Sequence, residues 1–232
     1  MSPTAGVLSE AWQVYKQHWR HLLPIAFIVF AVLAVITALL DAVLADWAAG
    51  IIGSILGIVG TYWLQGALVK AVEDVRDGRA DLSMGETFAA VWPRVGGIIV
   101  ASILAAIGVL LGLILLIIPG LVLMTWWVVI IPVIVLENAS AGASFGRSRE
   151  LVRGYGWSVF GVIVLTILVL IAAGIVLGII LSPLNDWLEG FVSNIVSGTL
   201  IAPFVAVAWT LLYYRLREAK ARTASEPAES LA

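Results

Sequence analysis

Long apolar stretches alternate with short polar segments along the whole chain. The apolar stretches cover residues 22–40, 47–69, 95–118, 120–136, 159–181 and 191–212. A bilayer core about 30 Å thick needs about 20 helical residues, and segments somewhat shorter or longer also cross it. The pattern therefore predicts six transmembrane helices.

The third and fourth stretches are joined without any charge between Arg94 and Glu137. As a single helix this segment would be about 60 Å long, because an α-helix rises about 1.5 Å per residue. That is about twice the thickness of the bilayer core. The segment must turn, and Pro119-Gly120 is the strong helix-breaking pair near its middle. We predict a hairpin turn at Pro119 and Gly120.

Composition places the chain in the membrane class. Hydrophobic residues make up 62% of the 232 residues, charged residues 12%, and the mean hydropathy is +1.08, whereas a soluble domain carries roughly a quarter charged residues. The chain has no cysteine, which excludes disulfides, thiolate metal sites and thiol catalysis. His18 and His21 lie on either side of Trp19-Arg20, just before the first apolar stretch, and we interpret them as interfacial polar residues.

The charges divide between the two sides that six spans create. All 13 lysines and arginines fall in the N-terminal segment, in residues 70–94 and 137–157, and in the C-terminal tail. The segments on the other side carry acidic residues only, namely Asp41, Asp46, Asp186 and Glu189. Positive residues concentrate on the cytoplasmic side of membrane proteins. We therefore predict that both termini are cytoplasmic.

A short amphipathic element precedes the first, third and fifth spans. The three elements start with Ser9-Glu10-Ala11-Trp12, Gly85-Glu86-Thr87-Phe88 and Gly142-Ala143-Ser144-Phe145. In the first element the apolar side recurs every three or four residues, at Leu8, Trp12, Tyr15, Trp19 and Leu22. This spacing is typical of a helix with one side in an apolar medium.

The predicted fold is all-α and polytopic: three transmembrane hairpins, each preceded by a cytoplasmic amphipathic interfacial helix. The repeat units cover about residues 6–75, 82–136 and 140–215 within a single membrane domain of residues 1–222, and residues 223–232 form a disordered tail. Pairs of glycines four residues apart, at 53 and 57, 108 and 112, and 174 and 178, allow close helix packing. They predict either packing inside the bundle or a homodimer face.

Few residues in the spans are suited to chemistry. No span carries a charge near its centre, so the usual marker of an ion or proton pathway is missing. Gln65 and Asn194 are the polar side chains that cost most to bury, and we expect them to be buried against partners. The sequence has no nucleophile elbow, metalloprotease or phosphate-binding-loop motif. We expect no catalytic residue, metal site, cofactor or nucleic-acid partner.

One segment carries a family resemblance. Pro119-Gly120, Glu137 and the serine- and arginine-rich run that ends in Arg153-Gly154 resemble the membrane-domain family linked to glycerophosphoryl diester phosphodiesterases. The same segment is similar to YciC-type bacterial inner-membrane proteins. The resemblance implies a multi-pass protein of the bacterial inner membrane. It implies no hydrolase activity, because in that family hydrolysis belongs to a separate barrel with metal-binding carboxylates and histidines.

Two hypotheses concern the charges at the inner end of the fourth span. Glu137 ends that span beside a helix rich in arginine, and an ion pair there would attach the helix to the bundle. The arginines have two interpretations, namely ordinary positive-inside bias or a site for anionic lipid phosphates. The phosphate-site candidates are Arg94, Arg147, Arg149 and Arg153.

The sequence leaves three classes of function open. We expect a non-enzymatic accessory or scaffold protein that associates with anionic membrane lipids or with a membrane-protein partner. The principal alternative is a transporter, a channel or a lipid-translocating protein with a path between the hairpins. An intramembrane enzyme acting on lipids is the third class. A water-accessible cavity lined by Gln65, Asn194 and Trp126 would favour the second.

Overall fold

The computed structural model describes residues 3–76, 82–183 and 186–229, without the side chains of 186–190 and 224–229. This part of the chain is helical, and it contains no strand. Its helices are α1 (Val7–Val43), α2 (Asp46–Arg76), α3 (Met84–Val91), α4 (Val95–Leu115), α5 (Ile117–Trp126), α6 (Ile130–Glu137), α7 (Ala141–Val152), α8 (Gly156–Leu181) and α9 (Asp186–Glu229). A 3-10 turn over Trp92–Arg94 joins α3 to α4.

Six helical stretches within the described residues are long and apolar enough to cross a membrane. They are Val7–Val43, Asp46–Arg76, Met84–Leu115, Ile117–Glu137, Gly156–Leu181 and Phe191–Thr223. These stretches correspond one by one to the predicted spans, so the all-helical class and the number of spans are confirmed. The last helix reaches Glu229, which lies within the predicted tail of residues 223–232. The boundaries of the repeat units and of the tail stay predictions.

Helix α1 consists of two segments that meet at His18, whose backbone is not helical (φ −116°, ψ 18°). The first segment buries Val7 and Ala11 against the protein, while Trp12 and Trp19 stay about half exposed. The protein-facing side therefore lies one residue away from the predicted stripe of Leu8, Trp12, Tyr15, Trp19 and Leu22, although Leu22 itself is buried. Small side chains let α1 approach α9 closely, the rings of Trp12 and Trp19 stay at the surface, and Tyr15 packs against Phe204 of α9.

The turn between the third and fourth spans lies three residues before the predicted position. Leu116 is extended (φ −158°, ψ 132°) and separates α4 from α5. Pro119 lies in the first turn of α5, where its missing N–H removes no intrahelical hydrogen bond. Gly120 packs against α4, where a Cβ added to Gly112 would lie 2.9 Å from the Gly120 Cα. The pair Pro119-Gly120 thus starts the returning helix instead of forming the turn.

The fourth span is interrupted, although the sequence predicts one continuous helix over 120–136. Trp127 and Val129 leave helical geometry, with φ values of −106° and −104°, and the span continues as α6. Pro132 explains the break, because a proline has no N–H to donate to the carbonyl four residues earlier. The second half of this span is thereby free to follow a different direction from the first.

The core lies among α1, α2, α6 and α9 together with the end of α7 and the start of α8, and Leu22, Leu64, Leu68 and Leu212 are fully buried in it. A second cluster joins α2, α4 and α6 around Ile98. By contrast, α4 and α8 turn many large apolar side chains outward, and they are the least covered of the long helices. An apolar exterior of this extent is suited to a lipid environment and not to water.

The three glycine pairs have different surroundings. Gly108 faces the Trp127 ring and Gly112 faces Gly120, so this pair packs α4 against the following span. A Cβ on Gly53 would meet the Thr37 methyl group, whereas Gly174 and Gly178 on α8 face open space. Internal packing accounts for the pair on α4 and for Gly53. A homodimer face at α8 stays a prediction.

Candidate functional site at the basic end of the bundle

Ion pairs between residues on different helices bring several helix ends together. Three of them join Arg215 with Glu10, Arg76 with Glu218 at 2.8 Å, and Arg147 with Glu137 at 2.8 Å. The start of α1, the ends of α2, α6 and α9, and helix α7 therefore lie at one end of the bundle. We call this the basic end. The other end, which carries the turns at Leu44, Leu116 and Ser182, is the opposite end.

Glu137 joins three helices at the basic end. Its Oε2 accepts a hydrogen bond from Arg147 Nε on α7 at 2.8 Å, and its Oε1 accepts one from the Tyr213 hydroxyl on α9 at 2.9 Å. The hydrogen bond to Glu137 raises the pKa of the Arg147 guanidinium above its ordinary value. Tyr213 is fully buried. The Glu137–arginine pairing that the sequence suggests is present, with Arg147 as the partner, and it attaches α7 to the bundle.

Further contacts hold α7 in place. Ser140 caps its start, accepting a hydrogen bond from the Ala143 N–H at 3.3 Å. From the buried side of α7, the Ser148 hydroxyl donates to the Trp126 carbonyl at 2.7 Å. The Arg149 guanidinium lies 4.2 Å from the centre of the Trp126 ring. Trp126 is the last residue of α5, so α7 lies across the end of that helix.

Two of the four arginines proposed as phosphate ligands are used within the protein. Arg94 donates to the Asn138 side-chain oxygen and to the Ala90 carbonyl. Asn138 ends α6 in the left-handed conformation (φ 55°). Arg147 binds Glu137 and, at 3.0 Å, Glu150. The structure thus divides the predicted set into two structural arginines and two exposed ones, Arg149 and Arg153.

An apolar groove of about 790 Å³ lies between α5 and α8 beside these two exposed arginines. One wall comes from α5 and includes Trp126 beneath Arg149. The other wall begins at Gly154, the residue after Arg153. Lys220 also reaches this position, donating to the Arg153 carbonyl at 2.7 Å and lying 5.8 Å from the Tyr155 ring centre. The lining residues are Ile118, Leu121, Val122, Thr125, Trp126, Gly154, Tyr155, Gly156, Trp157, Ser158 and Phe160.

A polar cleft of about 520 Å³ lies toward the opposite end, between α1, α2 and α9. Its polar lining residues include Asp41, Thr61 and Asn194. Asn194 is exposed, so the prediction that it is buried was wrong: α9 turns this residue toward the cleft and not toward a neighbouring helix. Gln65, one helical turn from Thr61, is half-buried.

Sequence reasoning missed two residues of this site. Tyr213 is 76 positions from Glu137, and directly after the apolar stretch of residues 191–212 it reads only as an interfacial aromatic residue. Asn138 follows the last residue of α6 and precedes Ser140, the cap of α7. The sequence therefore carried a local signal for a helix end at Asn138, because asparagine tolerates the left-handed conformation that ends a helix. Nothing local pointed to Arg94 as its partner, 44 positions earlier.

The arrangement places cations beside an apolar surface. Among the residues that the structure describes, no three histidine, cysteine, aspartate or glutamate side chains are grouped so that they could hold a metal ion. Comparisons with models of protein families, with curated proteins and with solved structures find no match for this chain.

Proposed function

We propose that the protein is a non-enzymatic integral protein of the bacterial inner membrane. In this proposal it associates with anionic lipids through its basic end, as an accessory or scaffold protein. The basic end faces the cytoplasm, and the chain crosses the membrane as three hairpins. The distribution of lysine and arginine supports this orientation. The bacterial inner membrane follows from the resemblance of the segment between Pro119 and Gly154 to the phosphodiesterase-linked and YciC-type membrane families.

The observation that carries the proposal is how α7 is held. Glu137, itself bound by Tyr213, holds the middle of α7 through Arg147, and Ser148 fixes its buried side on Trp126. Arg149 on α7 and Arg153, the residue directly after its last turn, are exposed next to an apolar groove. Guanidinium groups form paired hydrogen bonds with phosphate oxygens. A rigid helix that presents two of them at the edge of an apolar surface suits the headgroups of anionic lipids.

The other amphipathic elements extend this surface in the proposal. Lys16 lies on the first segment of α1 and Arg20 just after the kink at His18, and both are exposed beside the half-exposed rings of Trp12 and Trp19. Tryptophan rings prefer the boundary between lipid and water, and juxtamembrane cations are attracted to the negatively charged cytoplasmic leaflet. In this reading α1, α3 and α7 form a cytoplasmic rim on which lipids or a membrane partner assemble.

Native mass spectrometry tests the proposal. Protein from detergent micelles doped equally with phosphatidylglycerol and phosphatidylcholine should retain phosphatidylglycerol. In the double variant Arg149→Gln/Arg153→Gln this preference should fall by about thirtyfold, because each cation near an anionic surface contributes about 1 kcal/mol. Lys16→Gln/Arg20→Gln removes two exposed cations from α1, the other part of the proposed surface, so a loss as large as that of the α7 variant would show that the preference does not depend on α7. Equal retention in all three proteins would reject the lipid function.

The polar cleft favours a second candidate, a transporter or channel. A path would have to connect Asn194 in the cleft with Gln65, which lies deeper along α2. Because the chain has no cysteine, single cysteines at these positions can be labelled cleanly with a membrane-impermeant thiol reagent. Labelling of Asn194→Cys from outside and of Gln65→Cys from both sides would support a path. Labelling confined to Asn194→Cys would leave a closed cleft and exclude it.

A further inference from the structure

We propose that the groove between α5 and α8 is a specific site for one anionic phospholipid. One acyl chain lies in the groove, and the headgroup phosphate lies between Arg149 and Arg153. This inference rests on the proposed lipid function and deepens it, because it replaces general attraction to a charged leaflet with one ligand class at one place.

The shape of the groove suits an acyl chain. Ile118, Leu121, Val122 and Thr125 lie on one face of α5 at helical spacing and form its floor. From Ile118 to Trp126 the groove is about 12 Å long, because eight residues rise about 1.5 Å each. This length is close to one leaflet of a bilayer core about 30 Å thick. The surface is thus elongated and apolar, which matches an extended hydrocarbon chain.

The second wall leaves space for a ligand at the basic end of the groove. Trp157 and Phe160 of α8 stand against each other with ring centres 6.2 Å apart, and Trp157 is 88% exposed. A Cβ added to Gly156 would meet no atom within 4 Å, and Gly154 has a positive φ of 91° that favours glycine. The two glycines therefore keep this part of the groove open between α7 and α8.

Charge complementarity identifies the ligand as an anion. Arg149 contacts the Trp126 ring, and among the described residues neither Arg149 nor Arg153 forms an ion pair. The nearby carboxylate of Glu150 is bound by Arg147. Lys220 adds a third cation through its hydrogen bond to the Arg153 carbonyl. Positive charge at one end of an apolar groove in a membrane protein matches an anionic phospholipid, with phosphate at the end and an acyl chain along the wall.

Filling the groove tests the site separately from its charge. In the micelles described above, Gly156→Phe should lower phosphatidylglycerol retention about tenfold, because its ring occupies the open space. Gly174→Phe is the matched control, the same substitution on the same helix at a position that also faces open space. If Arg149→Gln/Arg153→Gln lowers retention and Gly156→Phe does not, the lipid function stands and the groove site is rejected. If neither Arg149→Gln/Arg153→Gln nor Gly156→Phe lowers phosphatidylglycerol retention, both proposals are rejected.

A site-specific probe locates the lipid directly. Val122→Cys in the groove and Ile175→Cys on the exposed face of α8 are each labelled with bimane and reconstituted into phosphatidylcholine vesicles containing increasing fractions of brominated phosphatidylglycerol. Quenching at Val122→Cys should reach half its maximum at a fraction several times lower than at Ile175→Cys. Arg149→Gln/Arg153→Gln should abolish that difference. Identical curves in the wild-type background, or no quenching at Val122→Cys because protein covers the groove, would overturn the site.

Discussion

The two ends of the bundle are held together in different ways. At the basic end, ion pairs and hydrogen bonds connect different helices, and Glu137 is bound both by the nearby Arg147 and by Tyr213, 76 positions away. At the opposite end the helices meet through close backbone packing, as at Gly112 and Gly120. Large apolar side chains around the opposite-end turns are strongly exposed, including Val43, Trp47 and Leu115 at 80%, 74% and 77%.

The difference follows from where polar contacts stabilise the packing of helices. In the apolar part of a membrane there is little hydrophobic drive between helices, so association depends on small residues and van der Waals packing. At the membrane boundary a partly covered ion pair with satisfied hydrogen bonds adds both stability and geometry. Helix α7 and the arginines it presents therefore depend on the polar contacts, while the hairpin of α4 and α5 depends on glycine.

The largest effect is expected from Gly120→Leu. A Cβ on Gly120 would lie 2.6 Å from the Leu113 backbone nitrogen, so α4 and α5 must separate. Overpacking of this kind costs about 3 kcal/mol. Thermal unfolding in detergent, followed by tryptophan fluorescence, measures the loss. Gly174→Leu, which faces open space, should unfold at the wild-type temperature, and equal loss in both variants would contradict the packing argument.

A smaller effect is expected from Glu137→Gln at the basic end. The variant loses a charge-assisted hydrogen bond, which is partly screened because the Arg147 side chain is 34% exposed; we expect about 1–2 kcal/mol of lost stability. Faster proteolysis of α7 should accompany it. Glu150→Gln is the control, because Glu150 pairs with the same arginine but is 65% exposed. Wild-type melting temperature and protease sensitivity in Glu137→Gln would exclude an anchoring role.

The smallest effect is expected from Glu218→Gln. Its ion pair with Arg76 spans 2.8 Å, but both side chains are well exposed, at 52% and 38%. Exposed pairs of this type contribute about 0.3 kcal/mol, so the melting temperature should stay close to the wild-type value and change little with added salt. A loss as large as that in Glu137→Gln would show that the ends of α2 and α9 share the anchoring of the basic end.

Sequence alone determined the helical class, the six spans and the separation of the charges. Each of these depends on what the bilayer demands of a continuous segment of the chain. A segment that crosses the bilayer needs enough apolar residues, and its charges must stay outside the bilayer core. The sequence also placed Glu137 beside an arginine-rich helix, because the two lie within ten positions of each other at the end of α6 and in α7.

Tertiary structure decided which residues those charges meet. In the folded protein Arg147 pairs with Glu137, and Tyr213, 76 positions from Glu137, binds the same carboxylate. Arg94 binds Asn138, whereas Arg149 and Arg153 stay exposed. Tertiary structure also moved the turn from Pro119-Gly120 to Leu116, since proline is accommodated in the first turn of a helix. Local patterns describe how each segment meets the membrane, whereas the pairing of side chains depends on which helices become neighbours.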